Sequence, residues 1–124
     1  MYGYSIWLIP DDYEYIKKTY KMKHIPHITF STNHIEPQNV LDNKSYLIKL
    51  KGKFLNFPKM YAIDPLNACG FYCDTDMKTT HDPHMSIFYD FVDDLDLEPL
   101  NKIFSGKLYS VDTTSNNPSN WHII

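Results

Sequence analysis

The chain has 124 residues, of which 43% are hydrophobic and 15% aromatic, so we expect one domain over residues 1–124 with a sizeable core. Its net charge is −3 and all 12 basic residues are lysines, which argues against a surface that tracks a long nucleic acid and removes bidentate arginine clamps on phosphate. No apolar stretch is long enough to span a membrane and the start lacks a signal-peptide pattern, so we expect a cytoplasmic monomer with no membrane partner.

Alternating apolar and polar residues predict strands, and apolar residues at helical spacing predict helices. The first half predicts a strand at 2–9, a helix capped by Asp11 and ending at Lys21, a strand at 27–31, a short helix or turn at 36–42 and a strand at 45–54. The second half predicts a hairpin of 60–63 with 69–74, a strand at 84–89, a helix between Asp96 and Gly106, a strand at 107–112 and a last strand at 121–124.

One five-residue pattern, proline–histidine–apolar–hydroxyl–apolar, occurs twice. The copies are Pro26-His27-Ile28-Thr29-Phe30 and Pro83-His84-Met85-Ser86-Ile87. In each copy the histidine and the hydroxyl lie two positions apart, so on a strand both point to one face. Each half of the chain supplies a strand–helix unit and one copy. We therefore predict an α+β fold of two lobes, in which two antiparallel sheets with flanking helices enclose a central cleft.

Two imidazoles and two hydroxyls around one anion suit the opening of a cyclic phosphodiester without a metal or other cofactor. His27 and His84 can divide the roles of general base and general acid, because the unperturbed histidine pKa lies near 6.5. Thr29 and Ser86 can hold the non-bridging phosphate oxygens, whose negative charge is spread out in the transition state. The sequence does not assign the base and the acid to particular histidines.

The motifs His27-Ile28-Thr29 and His84-Met85-Ser86, each after a proline, resemble those of the 2H phosphoesterase superfamily, whose members carry two His-x-Thr/Ser motifs. The opening from Tyr4 to Pro10 and the end around Trp121 are most similar to small eukaryotic and viral cyclic phosphodiesterases. The resemblance implies a two-lobed 2H fold and metal-independent hydrolysis of 2′,3′-cyclic phosphates, or of short 2′–5′-linked or cyclic oligonucleotides. The lack of arginine departs from branches that place one after the second motif.

A nucleotide substrate also needs an aromatic platform for its base. The candidates are Tyr4, Trp7, Tyr89 and Trp121, of which Tyr4 and Trp7 point to opposite faces of one strand. The resemblance adds weight to Tyr89, because that branch often has a tyrosine five positions after the second histidine. Strict alternation puts Tyr89 opposite His84, so this assignment needs a strand end or a bulge there.

Three other interpretations stay open. His24 and His81 each precede a motif histidine by three positions, which can suggest zinc, but this offset puts the paired rings on opposite faces of a strand. Cys69 and Cys73 are interpreted as reduced, buried thiols. The alternatives to an enzyme are a non-catalytic module that sequesters a cyclic nucleotide, and a structural domain in which the repeat is only a relic of the fold.

Overall fold

A computed structural model describes residues 3–40, 42–55, 67–90 and 93–124. The elements in chain order are β1 (Tyr4–Pro10), α1 (Tyr13–Thr19), β2 (Ile28–His34), β3 (Tyr46–Phe54), β4 (Cys69–Thr75), β5 (His84–Phe88), β6 (Ile103–Asp112), a 3₁₀ turn (Pro118–Asn120) and β7 (His122–Ile123). In these ranges no helix has the length and apolar character needed to cross a membrane.

The described strands form one antiparallel sheet in the order β2-β1-β6-β3-β4-β5, with β7 on the free side of β6. The sheet curls into a half-barrel, and the curl brings its two edge strands, β2 and β5, into contact with each other. With the one α-helix of the described residues the fold is α+β, as the sequence predicts. The prediction of two separate sheets is wrong, and the two-lobed arrangement is not confirmed.

The long strand β6 is the reason that one sheet replaces two. Its first residues pair with β3 and its last residues pair with β1, and Gly106 lies opposite both Pro10 and Tyr46. The predicted helix between Asp96 and Gly106 is therefore wrong. Instead, β6 begins at Ile103, Phe104 enters the core, and Gly106 lies so close to β1 that a Cβ would be 2.6 Å from the Ile9 oxygen.

Smaller differences occur at the ends of elements. Asp12 rather than Asp11 is the N-cap of α1, its side chain makes no capping hydrogen bond, and the helix ends at Thr19. Residues 35–40 form bends and irregular chain rather than a helix. The predicted strand at 60–63 lies outside the described residues.

Two apolar clusters lie on opposite faces of the sheet. The larger one joins α1 to the sheet and includes Ile16, Leu8 and Phe71, whereas the smaller one contains Trp7 and Trp121. Trp7 and Leu8 are neighbours on β1, so alternation sends them to different faces. A residue that belongs to the larger cluster therefore lies on the α1 side of the sheet, and this shows which face of each motif strand is turned towards the core.

The cysteines belong to the larger cluster, and both are free and buried, as predicted. Burial raises the pKa of Cys69 above its usual value and raises the pKa of Cys73 to about 12. Since the thiolate is the reactive form of cysteine, both residues serve as core packing rather than chemistry.

Strands β4 and β5 approach each other too closely for a side chain at Gly70. A Cβ there would overlap the Met85 oxygen and lie 2.9 Å from the Ile87 nitrogen, and both atoms are backbone. We predict that Gly70→Ala lowers the free energy of unfolding by about 1–3 kcal/mol, because β5 has to shift. Urea denaturation measures the change.

Gly52 is the matched control, since a Cβ added at this exposed position of β3 would meet no atom within 4 Å. Gly52→Ala is expected to change stability by no more than about 0.5 kcal/mol. Equal effects of the two substitutions would contradict the close approach of β4 and β5.

Candidate functional site

Both motifs turn their histidine and hydroxyl away from the larger core. Ile28 and Met85 belong to the larger cluster, and each stands between the histidine and the hydroxyl of its motif. Alternation then directs Thr29 to the opposite face of β2, and His84 and Ser86 to the opposite face of β5. His27 directly precedes β2, and its stacking on Trp7, the residue opposite Thr29, puts it on the same side as Thr29. Since β2 and β5 are the edges that meet, the two sets lie on strands in contact.

The two motif histidines are held in the same way. His27 Nδ1 donates to the backbone oxygen of Ile25 at 2.7 Å, and His84 Nδ1 donates to that of Asp82 at 3.0 Å. In both motifs the acceptor belongs to the residue two positions earlier. A carbonyl only accepts hydrogen bonds, so Nδ1 carries a proton in both rings. Nε2 is then the atom that takes up or releases a proton.

Both motifs also place a second histidine against the first. The ring centroids of His24 and His27 lie 5.9 Å apart at an interplanar angle of 74°, and those of His81 and His84 lie 5.9 Å apart at 70°. The repeat in the sequence is thus a repeat in three dimensions that extends three residues before each motif.

His24 connects the two motifs. Its Nε2 donates to the backbone oxygen of Ser86 at 2.8 Å, so the loop before β2 is bonded to the middle of β5. The His24 side chain is buried, and its ring lies 4.8 Å from that of Tyr89. His24 precedes β2, so the strand alternation assumed for it does not apply. The repeated His-x-x-His spacing was the available signal for this role.

Aromatic rings enclose His27. Trp7 stacks on it with ring centroids 3.5 Å apart and planes within 5°, and the Trp121 ring lies 6.5 Å away. The Trp121 indole is fixed by a 2.7 Å hydrogen bond from its Nε1 to the Ser115 oxygen. His27 is consequently only 3% exposed, and the stack on Trp7 was not predicted.

His84 has more open surroundings than His27. The ring centroids of His84 and Phe54 lie 5.4 Å apart in an edge-on contact, and Tyr72 of β4 lies opposite His84 in the sheet. His84 is half-buried, whereas His27 is buried. The two imidazoles therefore have equivalent anchors but different access to solvent.

Of the four candidate platform residues, Trp7 stacks on His27, and the other three occupy different places. Strand β5 ends at Phe88, so Tyr89 is released from alternation and packs against Trp121 at 5.4 Å. Trp121 itself is buried in the smaller cluster. Tyr4 lies at the far end of β1, opposite Asp112 and His34. The structure thus brings Tyr89 and Trp121 beside His24 and His27, with Tyr89 the more accessible ring.

The Ser86 hydroxyl is buried and has no hydrogen-bond partner among the described residues. A buried hydroxyl that makes no hydrogen bond lowers the stability of a folded protein, so its presence calls for an explanation. Thr29 is half-buried on β2, opposite Trp7. The Ser86 hydroxyl thus keeps an unused hydrogen-bonding capacity among the described residues, on the strand that carries His84.

Within the described ranges, no three or more histidine, cysteine, aspartate or glutamate side chains are grouped so that they could hold a metal ion. Of the histidines weighed for zinc, His24 uses Nε2 to donate to a carbonyl.

Comparison with known proteins adds no relative: no family model matches the chain, and neither the curated proteins nor the solved structures contain a significant match. The functional interpretation therefore depends on the residues and the geometry described above.

The bond from His24 to Ser86 predicts unequal effects of two similar substitutions. His24→Ala removes the donor to a buried carbonyl, and we expect it to lower the free energy of unfolding by about 1–3 kcal/mol. His81 holds the equivalent sequence position before the second motif but is exposed. His81→Ala is expected to stay within about 0.5 kcal/mol of the unchanged protein in thermal or urea unfolding. If His24→Ala left the free energy of unfolding unchanged, the bridging role of His24 would be contradicted.

Proposed function

We propose that this protein is a metal-independent phosphodiesterase of the 2H type, which hydrolyses 2′,3′-cyclic phosphates or short 2′–5′-linked or cyclic oligonucleotides. The observation that supports this best is that His27, directly before β2, and His84, on β5, stand at two sheet edges that contact each other. Each donates from Nδ1 to the carbonyl two residues earlier, a bond that His122 also makes to Asn120, so the position of the two rings and not the anchor alone supports the proposal. Two prepared imidazoles are what a metal-free ring opening requires.

In the proposed reaction one imidazole is neutral and the other protonated. The neutral Nε2 takes a proton from water as the water oxygen bonds to phosphorus. The protonated Nε2 gives its proton to the ribose oxygen as the bond from that oxygen to phosphorus breaks. The product is a terminal monophosphate, and the histidines end with their protonation states exchanged. Each proton transfer contributes roughly 100- to 10,000-fold to the rate.

The hydroxyl groups are proposed to hold the phosphate. The Ser86 hydroxyl is buried and has no partner in the part of the chain that the structure describes, so it can donate to a non-bridging oxygen without giving up another bond there. Thr29 stands in the same place relative to His27 as Ser86 does to His84. Such donors act on charge that develops in the transition state.

The finer fold assignment is part of the proposal. The half of the sheet that contains β1 and β2 and the half that contains β4 and β5 would correspond to the two lobes, with β6 joining them. The cleft would lie where β2 and β5 meet. Tyr89 would provide the main platform for the base, with Trp121 behind it and Tyr4 farther away.

Substitution of either motif histidine should remove turnover. His27→Ala and His84→Ala are each expected to lower kcat for a 2′,3′-cyclic mononucleotide at least about 100-fold. The rate of the unchanged protein should follow a bell-shaped pH profile and survive EDTA, because one histidine is neutral, the other is protonated and no metal takes part. Product chromatography measures the rate.

His122→Ala is the control, because His122 is exposed and its nearest acid is Asp112, at 4.0 Å. This variant should retain full activity. Full activity of His84→Ala, or loss of activity with EDTA and recovery with zinc, would rule out the proposed mechanism. A nucleotide that binds tightly and is recovered unchanged would instead favour a sequestering module.

A further inference from the structure

A groove of about 650 Å³ lies between α1 and the loop that leads to the first motif. Its walls include Tyr13, Lys17 and Lys18 of the helix, and Lys21 and Ile25 of the following loop. None of these residues belongs to the proposed catalytic set.

The groove is locally positive in a chain of net charge −3. Lys17, Lys18 and Lys21 line it together with one acid, Glu14. The stretch from Lys17 to Lys23 contains four of the chain's 12 lysines and no acidic residue. Charge complementarity therefore favours an anion, and three ammonium groups suit phosphate.

The loop after α1 turns back on the helix and places Lys21 beside the other lysines. The Lys21 amide donates to the Lys18 oxygen at 3.3 Å, and the Met22 amide donates to the Lys17 oxygen at 2.9 Å. Lys21 itself has a φ of 53°, which is uncommon for a residue with a side chain. The three lysines are thus grouped by a defined turn.

The groove adjoins the candidate catalytic site. Ile25 lines the groove, and its carbonyl accepts the hydrogen bond from His27 Nδ1. Tyr13 and Ile25 also pack against the cluster that contains Trp7, on which His27 stacks. The groove and the first motif therefore share Ile25 and border the same aromatic cluster.

We infer that this groove binds the 5′-terminal phosphate of the substrate, so that the preferred substrate is a short 5′-phosphorylated oligonucleotide rather than a cyclic mononucleotide. The inference rests on the proposed phosphodiesterase function and narrows it to a substrate class. The scissile phosphate lies between the two motif histidines. The 5′-terminal phosphate, which as a monoester carries more negative charge than a phosphate between two nucleosides, lies among Lys17, Lys18 and Lys21, and Tyr13 offers a ring to the nucleoside that bears it.

The test compares a cyclic mononucleotide with a dinucleotide that ends in a 2′,3′-cyclic phosphate, made with and without a 5′-phosphate. The 5′-phosphorylated dinucleotide should show a KM about tenfold below that of the other two, since each exposed ion pair contributes modestly and three act together. The triple variant Lys17→Gln/Lys18→Gln/Lys21→Gln should lose this advantage and keep its kcat. The corresponding triple change to arginine should retain it, because the charges remain.

The control variant Lys44→Gln/Lys49→Gln/Lys78→Gln removes the same number of charges from exposed positions that do not line the groove. It should keep the preference for the 5′-phosphate. Equal loss in both triple variants would mean that only the overall charge matters, which overturns the site. If the KM of the unchanged protein did not depend on the 5′-phosphate, the proposed site would be overturned as well.

Binding without turnover separates this inference from the proposed activity. Titration calorimetry of His84→Ala with the 5′-phosphorylated dinucleotide should give an affinity that falls about tenfold in the glutamine triple variant and weakens with added salt. Affinity that is independent of the three lysines overturns the groove. If the affinity depends on the lysines but the unchanged protein hydrolyses none of the three compounds, the groove is supported and the phosphodiesterase proposal alone is overturned.

Discussion

The hydrogen bond from His24 Nε2 to the Ser86 oxygen holds the two edges of one curled sheet together. It joins the loop before the first motif to the strand that carries the second. Strands β2 and β5 are the two ends of the strand order, and they contact each other all the same. The proposed chemistry needs two imidazoles near one phosphorus atom, so it depends on this contact more than on any other. Its burial makes the bond strong and also makes its loss costly.

Strand β6 provides the second constraint, because it turns two predicted sheets into one continuous sheet. Its pairing with both β1 and β3 sets the distance between the halves, and the curl then brings the edges back towards each other. Close approaches at Gly70 and Gly106 allow neighbouring strands to come near enough for this curvature. The site on β2 and β5 is therefore a product of the whole sheet, whereas the lysine groove depends on one helix and its following turn.

Much of the fold could be predicted because alternation is a local property. Strands β1 to β6 all overlap predicted strands, and Ile28 and Met85 face the core as the motif spacing requires. The helix between Asp96 and Gly106 was wrong because its capping signals are local, while the pairing of β6 with two partners is decided by tertiary contacts. The bridging role of His24 and the stack of Trp7 on His27 depend on loop geometry and on distant strands, which spacing along the sequence does not describe.

The most direct measurement of the central claim is a crystal structure of the protein with a bound nucleoside monophosphate, with the phosphate on the 2′ or the 3′ oxygen, since ring opening can give either product. We predict that Nε2 of His27 and Nε2 of His84 both lie within about 3.2 Å of oxygens of the same phosphate. The Ser86 hydroxyl should donate to a third oxygen. A phosphate that contacts only one of the two rings, or that binds away from both strands, would contradict the account.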